Sequence, residues 1–228
     1  MLCATLEICD PQKCSTADAI RAAKDRVRLD RTLDLEVGQF LTAQCLARKP
    51  DLKSVERALE ILRAISSAGR LATVLRSCMT QDDPQVRSKA ALILAAHFEG
   101  APVLERLATV DDDPRVRANT VEALWHRTTP QAESLFCKAL KDAHHRVSAN
   151  AAYGLYLIDP ARYGDVVDSF VTHPLPERRM AAAWLIRKMG PGKHCELLRR
   201  LIRDSDASVR RAAFQTVAAL RASAGPVS

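Results

Sequence analysis

The sequence predicts an all-α fold, a solenoid of stacked two-helix repeats, on three observations. The first is the stretch Asp111-Asp-Asp-Pro-Arg-Val-Arg-Ala-Asn-Thr-Val-Glu-Ala-Leu-Trp-His126, which reads as one helical unit. Asp113 and Pro114 suit an N-cap and a first helical position: the carboxylate accepts from orphan backbone N–H groups, and proline has no N–H to lose. Val116, Thr120, Val121 and Leu124 then fall on one face of a helix. The second observation is recurrence. With Val116 as marker, its counterparts Val86, Val147, Arg178 and Val209 follow one another at spacings of 30 or 31 residues. The third is that other columns keep the same period. Eight residues after the marker stand Leu94, Leu124, Leu155, Ile186 and Val217, and twelve before it Val74, Leu104, Leu135, Val166 and Leu197. Two short helices cannot bury their apolar faces alone, so a fixed period of this length means that each unit packs on its neighbours.

In chain order, residues 1–32 form an N-terminal segment and capping helix. Cys3, Cys9 and Cys14 stand at C-x5-C-x4-C, a spacing that matches no standard zinc or iron–sulfur pattern, so a loosely packed terminus with no metal is expected. Ser15-Thr-Ala-Asp18 resembles a capping box and opens a charged helix with Ile20, Ala23 and Val27 on one face. The repeats occupy 33–221. Leu33 to Arg48 is the outer helix of a degenerate first repeat, Lys49-Pro50-Asp51 its turn and Leu52 to Ser66 its inner helix. Repeat two runs from Gly69 to His97 with a turn at Asp82-Asp83-Pro84, and repeat three from Gly100 to Arg127. Thr129-Pro130 opens repeat four, Asp159-Pro160 opens repeat five with a turn at His173-Pro-Leu-Pro176, and Gly190-Pro191-Gly192 breaks into repeat six. Residues 222–228 form a frayed tail. The count is six repeats and one capping helix.

The motif Asp-x-x-Val-Arg, carried by Asp83-Pro-Gln-Val-Arg87, Asp113-Pro-Arg-Val-Arg117 and Asp206-Ala-Ser-Val-Arg210, resembles HEAT repeats. The flavour is the short bacterial type shared with phycobilin-lyase-like families, and the resemblance covers residues 33 to 221. It implies a right-handed α-α superhelix in which the helix before the Asp is outer and convex and the Val-Arg helix is inner and concave. It further implies an inter-repeat ladder of Asp83, Asp113 and Asp206 with Arg87, Arg117 and Arg210. That ladder should break in the middle, where His144 and Ser148, then Leu175 with Arg179, replace the pattern.

The chain has no run of 18 apolar residues and its start lacks the layout of a signal peptide. Seven scattered cysteines suit free thiols in a reducing cytoplasm. A cytoplasmic monomer without cofactor and without membrane attachment is expected. Phosphate-loop, dinucleotide, zinc-protease and nucleophile-elbow motifs are all missing from the sequence. His144-His145 reads as an imperfect helix cap rather than a chelate, because adjacent helical residues diverge. Iron-dependent HEAT-containing hydroxylases use His-Glu pairs, and the chain has no His-Glu dipeptide.

The one suggestive constellation lies on the inner helices opposite the core columns. A partner-binding face is expected there, from Asn119, Glu122, Trp125, His126, Asn150, Tyr153, Tyr156, Met180, Trp184 and Arg187. The competing reading is that these rings pack between helices. The preferred function is a non-enzymatic scaffold that binds another protein or peptide on the concave face, since aromatic, Met and Arg residues are typical interface anchors. The alternative is nucleic-acid binding. The whole excess charge of +7 resides from Pro176 onward, with a basic patch at Arg199, Arg200, Arg203, Arg210 and Arg211. Glu122 near Trp125 and Tyr153 gives an architectural likeness to HEAT-like alkylpurine DNA glycosylases, although none of that family's sequence features is present. Weak binding without sequence preference is expected on this second reading. A relative of chromophore lyases rests on repeat flavour alone.

Overall fold

Proline and capping side chains set where the helices begin. The computed structural model describes residues 7–29, 32–47, 51–65, 72–97 and 102–223, and the chain divides into two units, 1–123 and 124–228. The first holds α1 (Thr16–Leu29), α2 (Leu33–Leu46), α3 (Leu52–Ile65), α4 (Ala72–Cys78), α5 (Pro84–His97), α6 (Pro102–Thr109) and α7 (Pro114–Ala123). Helices α1, α3, α5 and α7 pack side by side in that order, and α2, α4 and α6 each back the inner helix that follows them. The second unit holds α8 (Pro130–Ala139), α9 (His145–Ile158), the single turn α10 (Pro160–Tyr163), α11 (Val166–Val171), α12 (Pro176–Met189), α13 (Cys195–Ile202) and α14 (Ala207–Ser223). There α9, α12 and α14 form the inner layer, backed by α8, α11 and α13. No strand occurs among the described residues, so the fold is all-α with a repeated helical pair, as the period predicts. No helix among them is long and apolar enough to cross a membrane. Cys3, the turn at Lys49-Pro50, the repeat openings at Gly69 and Gly100, and most of the 222–228 tail lie outside the described residues.

The columns read from the sequence are the core. Val86, Val116, Val147 and Val209 are buried, as are the residues eight positions on, Leu94, Leu124, Leu155 and Ile186. Four positions after the marker stand Ala90, Thr120, Ala151, Ala182 and Ala213, all buried and all small. Small residues there let inner helices approach closely, and the buried Thr120 satisfies its hydroxyl on the Val116 carbonyl at 2.8 Å. Between α8 and α9 the close approach falls at Gly154. A Cβ there would stand 2.8 Å from the ring of Phe136, which is fully buried.

Capping side chains occupy the turns between paired helices. Asp83 Oδ1 accepts from the N–H groups of Gln85 and Val86, and Asp206 Oδ1 from those of Ser208 and Val209. Asp113 Oδ1 accepts from Arg115 N at 2.7 Å, and the Arg115 side chain holds the Asp113 carboxyl down at about 2. His144 does cap α9, with Nδ1 accepting from Arg146 N at 3.3 Å. Ser15 and Asp18 form the expected N-terminal box: Asp18 N donates to Ser15 Oγ, and Ser15 Oγ to Asp18 Oδ2.

Three expectations are corrected here. First, the ladder acid is not the capping Asp. Arg87 makes a two-point contact with Asp111, at 2.9 Å for both Nε and Nη2, and Arg179 pairs likewise with Asp204. The acid therefore lies two residues before the cap, because the cap's own oxygens are turned to the helix start. The same Asp accepts from the cap residue's N–H, as in Asp111 with Asp113 and Asp204 with Asp206. Each ladder arginine also donates Nη1 to carbonyls five and six residues back. Arg87 reaches Gln81 and Asp82, Arg117 reaches Asp111 and Asp112, Arg179 reaches His173 and Pro174, and Arg210 reaches Asp204 and Ser205. Second, Arg179 is a full member and the break at Ser148 is repaired. Arg178, from the following repeat, donates Nη1 to Ser148 Oγ at 2.9 Å and Nη2 to the Asp142 and Ala143 carbonyls. Third, the N-terminal segment is packed from Cys9 onward. Cys9 is fully buried, and burial pushes its thiol up to about 12. Arg57, 6% exposed, donates Nη1 to the carbonyls of Asp10 and Cys14 and lies 3.6 Å from Cys14 Sγ.

Candidate partner-binding face

Tyr153 on α9 and Trp184 on α12 stand six residues after their markers Val147 and Arg178. Since α9 and α12 pack side by side, equal register brings the two rings together. Their centroids are 6.1 Å apart, edge to face. Tyr156 stacks beside Tyr153 at 6.2 Å, one turn along the same helix, and donates its hydroxyl to the Met189 carbonyl at 3.2 Å. Trp125 completes the group, 4.9 Å from Tyr153 and 6.1 Å from Trp184. Edge-to-face and offset contacts at these spacings are the favourable geometries for aromatic pairs.

Trp125 arrives by a different route from the expected one. Helix α7 ends at Ala123, and Leu124–His126 form a turn closed by Arg127 N donating to the Leu124 carbonyl. The ring is 8% exposed. A buried indole N–H needs an acceptor, and it finds the backbone carbonyl of Asn150 at 2.8 Å. Trp125 is thus the floor of the cluster rather than part of its open surface. Asn150, expected on the open face, is 3% exposed. It follows its marker by only three residues, an angle nearer the core columns than that of Tyr153. Tyr153, Tyr156, Met180 and Trp184 are half-buried, Arg187 and His126 exposed. Tyr153, Met180 and Trp184 rest on the apolar core of this unit, which includes Ala149, Ala152, Ala181 and Ala183. The rings therefore both pack and present an edge to solvent, because the alanines beneath are too small to enclose them.

Lys188, which flanks Arg187 in the outward columns of α12, is the cation of this cluster. It stands one turn after Trp184 on α12, and its Nζ lies 5.3 Å from the Trp125 ring centroid, 5.7 Å from Tyr153 and 5.8 Å from Trp184. Separations under about 6 Å are attractive because the ring face carries negative quadrupole. The sequence signals for it are its column, ten residues after the marker, and the four-residue spacing from Trp184.

Asn119 and Glu122 belong to the first unit. Asn119 is half-buried and lines a depression of 280 Å³ with Ser88, Lys89, Leu92 and Arg115, and Glu122 is exposed. Lys89 there is held by Glu56 at 2.6 Å and Glu60 at 2.8 Å.

The basic patch is not one surface. Arg199, Arg200 and Arg203 lie exposed on or just after the outer helix α13, with Arg199 paired to Glu196 at 3.0 Å. Arg211 is exposed on the inner helix α14. Arg210 is a correction: half-buried, it is committed to the Asp204 and Ser205 carbonyls and does not belong to a patch. Arg178 and Arg179 are likewise built into turns. Three of the arginines counted from the sequence in this region are thus built into turns.

The geometry offers apolar area beside a cation held over three rings. Residues 100–171 match the family model described as HEAT repeats. No curated protein matches the chain. Two similar solved structures are crystal structures of engineered proteins. One is 15% identical, covering 96% of this chain and 98% of its own, with a TM-score of 0.33. The other is 17% identical, covering 96% of each chain, with a TM-score of 0.32.

Proposed function

We propose that this HEAT-repeat protein is a non-enzymatic scaffold that binds another protein or a peptide on the inner-helix face of residues 124–228. The observation that carries the reading is the aromatic cluster, where Tyr153, Tyr156 and Trp184 are half-buried on an alanine-rich core and flanked by Met180 and Arg187. Rigid rings present contact area with few rotors to freeze, and aromatic, Met and Arg side chains are enriched where interfaces are tight. Trp125 and the Tyr156 hydroxyl are tied to backbone carbonyls, which fixes the floor in advance of binding. The nucleic-acid reading gains no comparable observation, since Arg178, Arg179 and Arg210 serve the turns.

Site-directed photo-crosslinking tests the proposal. A benzoylphenylalanine replaces Arg187 on α12 in one variant and Arg200 on α13 in another, both exposed positions. In lysate of the source cells, discrete adducts should form from position 187 and not from position 200. Adducts of equal yield from both positions, or from 200 alone, would refute the inner-face assignment.

A further inference from the structure

We infer that the box formed by Trp125, Tyr153 and Trp184 is an exchangeable organic-cation site, occupied internally by Lys188, that receives a methylated lysine side chain of the partner. The inference rests on the proposed partner-binding face and names the anchor that this face takes. Three rings from two inner helices and one turn converge on a single nitrogen, at 5.3, 5.7 and 5.8 Å. The walls are fixed: the Trp125 indole is bonded to the Asn150 carbonyl and each ring contacts the other two. The occupant is not fixed, because Lys188 is exposed and its stem has four rotors.

The spacing selects the ligand. A bare ammonium nitrogen can approach a ring more closely than these distances. A nitrogen carrying a methyl group has its carbon about 1.5 Å out, and carbon–carbon contact adds roughly 3.5–4.0 Å. The sum, about 5 Å, is close to what the box provides. An unmodified lysine from a partner would merely repeat Lys188's own contacts, so the exchange would gain little. A methylated ammonium is less strongly hydrated and fills the space with apolar surface, as aromatic cages for methyl-lysine do. The exchange also replaces one positive charge by another, so the exposed Arg187 beside the box opposes incoming and resident cations alike.

Both tryptophans of the chain stand in the box, so its intrinsic indole fluorescence reports on the site alone. The purified chain is titrated with Nα-acetyl-Nε-trimethyl-lysine amide, with the unmethylated analogue, and with choline, at constant ionic strength. A saturable spectral change is expected with the trimethyl derivative, at least about tenfold weaker with the unmethylated one. Lys188→Ala, which removes the internal competitor at an exposed position, should tighten trimethyl-lysine binding by about tenfold. Indistinguishable responses to methylated and unmethylated ligand overturn the inference, as does an affinity unchanged in Lys188→Ala. Choline binding as tightly as the lysine derivative overturns the assignment to a protein side chain. Because the titration needs no partner, a failed cation site with position-187 adducts intact separates this inference from the partner-face reading.

Discussion

Arg178 carries the most informative exchange at the scale of single residues. Repeats two, three and six place valine at the marker and arginine next to it, whereas repeats four and five hold Val147-Ser148 and Arg178-Arg179. The serine leaves two turn carbonyls, Asp142 and Ala143, without their own arginine, and Arg178 supplies the donors from one repeat further on. The substitution is not free of cost, since Arg178 Nε is buried without a partner. Arg178→Val should therefore destabilise the protein by about 0.5–1.5 kcal/mol in urea unfolding, the usual net worth of a hydrogen bond to acceptors that water can still reach. Restoring the motif in the double variant Ser148→Arg with Arg178→Val should recover most of that loss, a coupling of roughly 0.5–3 kcal/mol. Additive single effects would contradict the swap. The sequence showed that the pattern lapses at Ser148. It could not show the repair, because which arginine reaches an empty slot depends on the spacing between packed repeats.

At the scale of helices and turns, caps were largely legible and one helix end was not. Ser15, Thr129, His144 and Asp159 cap where their spacing from following residues suggested. The helix of repeat three was expected to continue through Trp125, yet it stops at Ala123. Pro130 restricts only Thr129, too far along the chain to explain that end; the chain turns at Leu124–His126 and delivers the indole from there. The turns of repeats four and five also differ chemically from the others, because histidine stands where Asp serves elsewhere. His173 Nδ1 accepts from Leu175 N at 3.1 Å, which requires the ring nitrogen to be unprotonated. Burial, then Arg178 and Arg179, lower the His173 pKa. Burial, then His144, lower that of His145, with Glu177 opposing and Arg178 and Arg146 assisting. A group with a depressed folded pKa contributes stability that is complete above its unfolded value of about 6.5 and lost as pH falls below it. Thermal melts between pH 7.5 and 5 should fall by about 2–4 °C for each kcal/mol so lost. In His173→Asn with His145→Gln that decline should be smaller, and an identical decline in the variant would rule the histidines out as its source.

For the molecule as a whole, the period carried the fold: in each unit the marker valines are buried, and so are Leu94, Leu124, Leu155 and Ile186 eight residues after their markers. The candidate face was legible in part. Tyr153 and Trp184 were placed together by register, because equal positions on adjacent inner helices become neighbours, and Trp125 was expected beside them. The column placed Lys188 on the same face but not over the rings, since a flexible side chain can take several directions and only the ring positions decide which is favoured. Net charge was an incomplete guide for a physical reason: a count cannot separate arginines that face solvent, such as Arg199 and Arg211, from those that tie turns, such as Arg179 and Arg210. The direct measurement is the crosslinking yield from position 187 in a Trp184→Leu background, taken alongside the melting temperature. Leucine keeps apolar bulk over the core but removes the ring face, so the yield should fall at least about tenfold while the fold still melts cooperatively. An unchanged yield in a folded Trp184→Leu protein would contradict a partner site centred on these rings.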